Sequence, residues 1–184
     1  MARGRHLRGA VIFLHGSGDT GRGVRQWLES AYGGRFERSL AELGLAPVLF
    51  PTAPETPYTL AGGMPSTVWF DRQRLSPGSP QDRAGVLRSL RQVEEEVRKL
   101  EEEGVPSSRV FVGGFSMGGC LALEVLGYQP LATRVAGVFS HASFLNDDSA
   151  ASRQRQLSGP PCTRLTALRT VWSRHPGDEQ RRIG

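Results

Sequence analysis

A chain of 184 residues is the size of one domain and is long enough to bury a real core. With 38% hydrophobic and 22% charged residues it is polar for a globular protein, but not in the range of a disordered one. Two cysteines, Cys120 and Cys162, cannot build a disulfide framework, and no stretch approaches the ~20 apolar residues of a membrane span, so a soluble cytoplasmic domain without membrane insertion is expected.

Residues 1–8 are basic but lack the apolar core of a signal peptide. Short apolar runs at 10–14, 46–50, 110–112 and 135–139 are bounded by turn residues. Near-continuous apolar character of this length predicts strands buried on both faces, as in a parallel sheet. The proline-rich stretches 51–57 and 77–80 predict surface loops. Between the second and third runs, Val86, Leu90, Val93, Val97 and Leu100 recur at spacings of four and three, which predicts a helix over 84–103. Its acidic triplets 94–96 and 101–103 should face mostly solvent, and Gly104 with Pro106 should end it. A second helix should start just after Ser116 and run through Leu126. Strands alternating with helices give an α/β class with a doubly wound, mostly parallel sheet.

The formal charge is uneven. Residues 1–149 are balanced, whereas 150–184 hold seven arginines against Asp178 and Glu179, which accounts for the whole net +5. This segment lacks sustained periodicity and is broken by Gly159, Pro160 and Pro161. The expected organisation is therefore a folded domain over 1–149 and a basic, poorly structured tail over 150–184. Trp172 is the only aromatic residue among those arginines, so nucleic acid is not an expected partner.

Gly114, Ser116 and Gly118 fit the G-x-S-x-G pattern, with a predicted strand before them and a predicted helix after them. In such an elbow a serine sits on a sharp strand-to-helix turn, and small residues two before and two after let the chain pass. That makes Ser116 a candidate nucleophile. Acyl transfer also needs two main-chain N–H donors for the developing oxyanion. Met117, directly after the serine, is one candidate. Ser17, in the glycine-rich loop after the first strand, is the other. His15 and Asp19 read as residues that fix this loop rather than as an acid–base pair.

The segments 13–21, 50–54, 68–72 and 113–119 occur in the order found in acyl-protein thioesterases and their carboxylesterase relatives, and the chain resembles that family over about residues 10–146. The resemblance implies an α/β-hydrolase fold, a serine hydrolase acting on acyl esters or S-acylated molecules and proteins, and no metal or organic cofactor. It marks Ser116 as nucleophile, Ser17 and Met117 as oxyanion donors, and Trp69 as a neighbour of the site or a packing residue under a loop.

The family triad continues with an aspartate in a His-Gly-x-x-Asp context and a histidine near the C-terminus. No such context follows Asn146. His141 directly follows a predicted strand, where the family does not place its base, and His175 has only Asp178 and Glu179 after it. The coincidence of lost resemblance and charge shift suggests an altered C-terminal segment and an incomplete sheet. The expectation is a hydrolase impaired for want of its acid and base, with a non-catalytic interaction protein as the alternative.

Overall fold

The computed structural model describes residues 9–153. Four parallel strands form the central sheet: β1 (Gly9–Leu14), β2 (Leu45–Leu49), β5 (Val110–Phe115) and β6 (Gly137–His141), in the order β2-β1-β5-β6. These are the four expected strands, with shifted ends. The apolar run at 110–112 continues through Gly113 and Gly114 to Phe115, lengthening the strand that delivers Ser116. A doubly wound sheet follows from the alternation along β1. Ala10, Ile12 and Leu14 enter one core and Phe13 the opposite one.

The first core is covered by α3 (Arg83–Glu102) and α4 (Met117–Glu124). All five apolar residues read as the stripe of α3 are buried, and Asp82 caps the helix by accepting the Gly85 N–H at 2.9 Å. α4 is buried almost all round, as a central helix should be, and ends at Glu124, two residues short of the expected Leu126, giving way to a 3₁₀ turn, Val125–Gly127. The second core joins Phe13 to Val24 and Leu28 of α1 (Gly21–Ala31), with Phe36 of α2 (Phe36–Glu42), Phe50, Phe115 and Phe139 packed against it. Short α5 (Gln129–Ala132) leads back to β6.

Burial on both faces holds for β1, which is buried along its whole length, and largely for β5, but not for the other two strands. β2 is only partly buried because it is an edge, which is also why Pro47, without an N–H for a ladder, is tolerated there. Residues 55–57 are not all loop. β3 (Glu55–Pro57) pairs antiparallel with β4 (Pro65–Thr67), a small ribbon that clamps the loop after β1. Residues 150–153 are helical, with Ala151 buried, so packing runs a few residues past 149. The remainder of the expected tail lies outside the described residues. No helix among the described residues is long and apolar enough to cross a membrane.

Candidate active site

The site lies at the carboxyl ends of β1, β5 and β6, where open α/β sheets place their ligands. β5 ends at Phe115, α4 begins at Met117, and Ser116 alone makes the turn between them. It does so with φ 52° and ψ −118°, a conformation an L-residue adopts only under constraint. The constraint is visible in its neighbours. Ser116 N–H donates to the His141 carbonyl at 2.9 Å, and the Ser116 carbonyl accepts from Ser143 Oγ at 2.9 Å and from Cys120 N–H at 3.0 Å.

Crossing chains explain the flanking glycines. A methyl group on Gly114 would lie 2.5 Å from the Leu14 carbonyl oxygen, and one on Gly118 would lie 2.2 Å from that same atom. The small residues that the sequence pattern required are thus required by the end of β1, which passes directly beneath the turn.

The loop after β1 rests on this elbow. A methyl group on Gly16 would sit 3.5 Å from Ser116 Cβ, so Ser17 follows a residue in contact range of the serine. Gly18 N–H donates to the Thr67 carbonyl at 2.9 Å, and Thr67 Oγ1 donates to the Asp19 carbonyl at 2.5 Å, tying the loop to β4. Ser17 is exposed, and its main-chain N–H belongs to this tethered loop. Met117 is the first residue of α4, so its N–H has no acceptor within the helix, while its side chain is buried. Ser116 and Met117 thus share the turn, and Ser17 lies on the loop whose Gly16 adjoins it.

His15 fixes the loop, as its sequence position suggested. It is fully buried. Its Nε2 accepts the Ala53 N–H at 2.9 Å, which leaves Nδ1 to donate to the Gly16 carbonyl at 2.7 Å. Burial lowers its pKa below the usual imidazole value, against weaker raising effects of the Gly16 bond and of Asp19. A neutral ring with both nitrogens engaged has no lone pair to offer a serine. Trp69 packs under the loop: its indole N–H donates to the His15 carbonyl at 2.9 Å, and its ring lies 5.0 Å from that imidazole.

His141 bonds the elbow serine through its main chain. Its carbonyl holds Ser116, while its ring lies against Phe115 at 5.7 Å. Among the described residues no imidazole is hydrogen-bonded to Ser116 Oγ, and no carboxylate pairs with His141. His175, Asp178 and Glu179 lie outside the described residues. No grouping of His, Cys, Asp and Glu among the described residues could hold a metal ion. The contribution that sequence reasoning missed is that of Ser143, whose single hydroxyl proton is shared between the Ser116 carbonyl at 2.9 Å and the His141 carbonyl at 2.8 Å.

Comparison with known proteins gives the same family by three routes. The sequence profile of the phospholipase/carboxylesterase family matches residues 2–162, extending beyond residue 146, where the recognisable motifs end. Lysophospholipase-like protein 1 of Mus musculus is 39% identical over 163 residues, spanning 85% of this chain and 62% of that protein. Acyl-protein thioesterase 1 of Yarrowia lipolytica is 36% identical over 125 residues, 64% of this chain and 52% of that protein. Among solved structures, SOBER1 of Arabidopsis thaliana superposes with a TM-score of 0.62 at 30% identity, over 76% of this chain and 63% of that one. Acyl-protein thioesterase 2 of Zea mays gives 0.57 at 26% identity over 84% and 68%. The chain thus spans between about half and two thirds of the length of the curated relatives it matches. With its parallel sheet, serine elbow and tethered glycine loop, the chain belongs to the phospholipase/carboxylesterase family of α/β-hydrolases.

Proposed function

We propose that the chain carries the nucleophile and oxyanion cradle of a hydrolase of acyl esters or thioesters, with Ser116 as nucleophile and the main-chain N–H groups of Ser17 and Met117 as the two donors. The observation that carries this reading is the backbone of Ser116, held at φ 52° between glycines that cannot be replaced without collision. Strain of this kind persists only where the surroundings enforce it. Family members are serine hydrolases, and relatives named for acyl-protein thioesterase activity support an acylated small molecule or an S-acylated protein as substrate.

In this reading Ser116 Oγ attacks the acyl carbonyl carbon, and the carbonyl oxygen becomes an oxyanion beside the N–H groups of Ser17 and Met117. Collapse expels the thiolate or alcohol and leaves an acyl-serine, which water then cleaves to the acid. The hydroxyl proton needs a base, because serine at neutral pH is protonated and a poor nucleophile. His15 is committed to the loop and the His141 imidazole packs on Phe115 rather than bonding the Ser116 hydroxyl, so we propose that this chain turns substrate over slowly. Loss of acid and base costs on the order of 10⁴–10⁶ in kcat, the remainder coming from the oxyanion donors and binding. A cytoplasmic setting is part of the same proposal, in keeping with a free, buried Cys120.

A fluorophosphonate probe tests it, with Ser116→Ala as control and the mouse lysophospholipase-like protein 1 alongside. Slow labelling that vanishes in Ser116→Ala is expected. Labelling as fast as that of the mouse protein would show a working base, and labelling unchanged in Ser116→Ala would remove Ser116 from its role.

A further inference from the structure

Arg72 follows Phe70 and Asp71 in the segment that leads to α3, and it is only 5% exposed. Its guanidinium carbon lies 4.9 Å from the ring centre of Phe70 and 4.7 Å from that of Phe144, so its surroundings are aromatic. Its Nε and Nη2 atoms are buried and have no hydrogen-bond partner among the described residues. No ion pair among the described residues includes Arg72.

Nearby carboxylates are already occupied. Asp71 accepts from Thr59 N–H at 2.8 Å and Thr59 Oγ1 at 2.6 Å, and Asp82 accepts the N–H groups of Asp71 at 3.0 Å and Gly85 at 2.9 Å. A guanidinium does not shed its charge on burial as an ammonium can. Leaving such a charge without a counter-group is strongly unfavourable. Nε and Nη2 also share one edge of the guanidinium, and their N–H bonds run parallel at the spacing of two oxygens on one carbon or phosphorus.

We propose that the Nε–Nη2 edge of Arg72 is a bidentate binding site for a small oxyanion, a carboxylate or a phosphate, with Phe70 and Phe144 fixing the guanidinium. The site lies beside the elbow without being part of it. Phe144 adjoins Ser143, whose hydroxyl braces the Ser116 carbonyl, and the Phe144 N–H points to Cys120 Sγ at 3.4 Å. The assignment does not depend on Ser116 being a nucleophile.

Two measurements test it in the full chain. In arginine Nε–H NMR spectra at constant ionic strength, separate titrations with acetate and inorganic phosphate should shift one resonance saturably. That resonance should be absent from Arg72→Lys, and potassium chloride should not move it. The anion giving the lower half-saturation identifies the preferred chemistry. In thermal melts, the same anions should raise the Tm of the wild type but not of Arg72→Met, and without anion Arg72→Met should melt above the wild type. No saturable shift with either anion, or an equal Tm rise in Arg72→Met, overturns the site. If Arg72→Met fails to fold, the wild-type titration alone decides the matter.

Discussion

The carbonyl of His141 accepts the N–H of Ser116 at 2.9 Å, so the last residue of β6 fixes the serine turn with its main chain rather than with its imidazole. Ser143 completes the brace, its hydroxyl reaching the carbonyls of both residues at 2.8 and 2.9 Å. The turn is thereby held by the His141 main chain and by the single hydroxyl proton of Ser143, shared between two carbonyls, and neither needs a titratable group.

Ser143→Ala removes this shared donor without adding bulk. A net loss of about 1–2 kcal/mol is expected for a half-buried hydroxyl of this kind. Chemical denaturation should report that loss, and Ser116 labelling by a fluorophosphonate should slow by more than the fraction of chain unfolded. Slower labelling with unchanged stability would equally tie Ser143 to the turn. No change in either would detach it.

Gly118→Ala should be among the most damaging single-methyl additions to this chain. The new carbon would meet the Leu14 carbonyl oxygen at 2.2 Å, an atom of the central strand that cannot rotate away. Overpacking of this sort costs about 3 kcal/mol or more when the neighbour is backbone. A lowered denaturation midpoint with an unchanged m-value is the expected result.

The central strands and α3 were legible because each carries its own signal: β1 and β5 are unbroken apolar runs, and α3 keeps one apolar stripe over twenty residues. The elbow was legible because its glycines and serine are adjacent in sequence. α1 was harder to see. Its buried positions are only Gly21, Val24 and Leu28, and its glycines weaken the helical signal, although Thr20 does cap it through the Gly23 N–H at 3.0 Å. The β3–β4 ribbon was hidden because Pro57, in a stretch read as loop, is the cross-strand partner of another proline, Pro65. Partial burial of β2 and β6 depends on strand order, which the local pattern does not contain. The brace from Ser143 to Ser116 spans twenty-seven positions and is set by β6 lying beside β5.

His15 makes stability fall on acidification. Burial lowers its pKa in the folded chain, so the unfolded chain binds the proton more readily. The stabilising effect is complete above the unfolded value of about 6.5 and is lost as pH falls from there towards the folded pKa. His15→Gln can still accept the Ala53 N–H but cannot titrate. Denaturation curves between about pH 7 and pH 5.5 should therefore slope less for the variant than for the wild type. Parallel slopes would mean that His15 is not the group responsible.

Glu124 acts with the opposite sign. It is 3% exposed on α4, where burial raises its pKa although Gln81 Nε2 donates to it at 2.5 Å and the Ala151 N–H and Ser149 hydroxyl also bond it. Asp148 adds a weaker raising effect. Among the charged groups around it, Arg83 and Arg153 line the same cleft of about 160 Å³. A folded carboxyl that holds its proton more tightly than the unfolded one stabilises most below the unfolded pKa of about 4.5. That contribution is lost as pH rises through the folded value. Glu124→Gln keeps the shape and an acceptor oxygen for Gln81 while removing the charge that burial disfavours. The variant should equal the wild type at acid pH and exceed it in stability at neutral pH, the gap widening through the titration. A variant less stable at pH 7 would show that the bonds from Gln81, Ser149 and Ala151 outweigh the cost of burying the carboxylate.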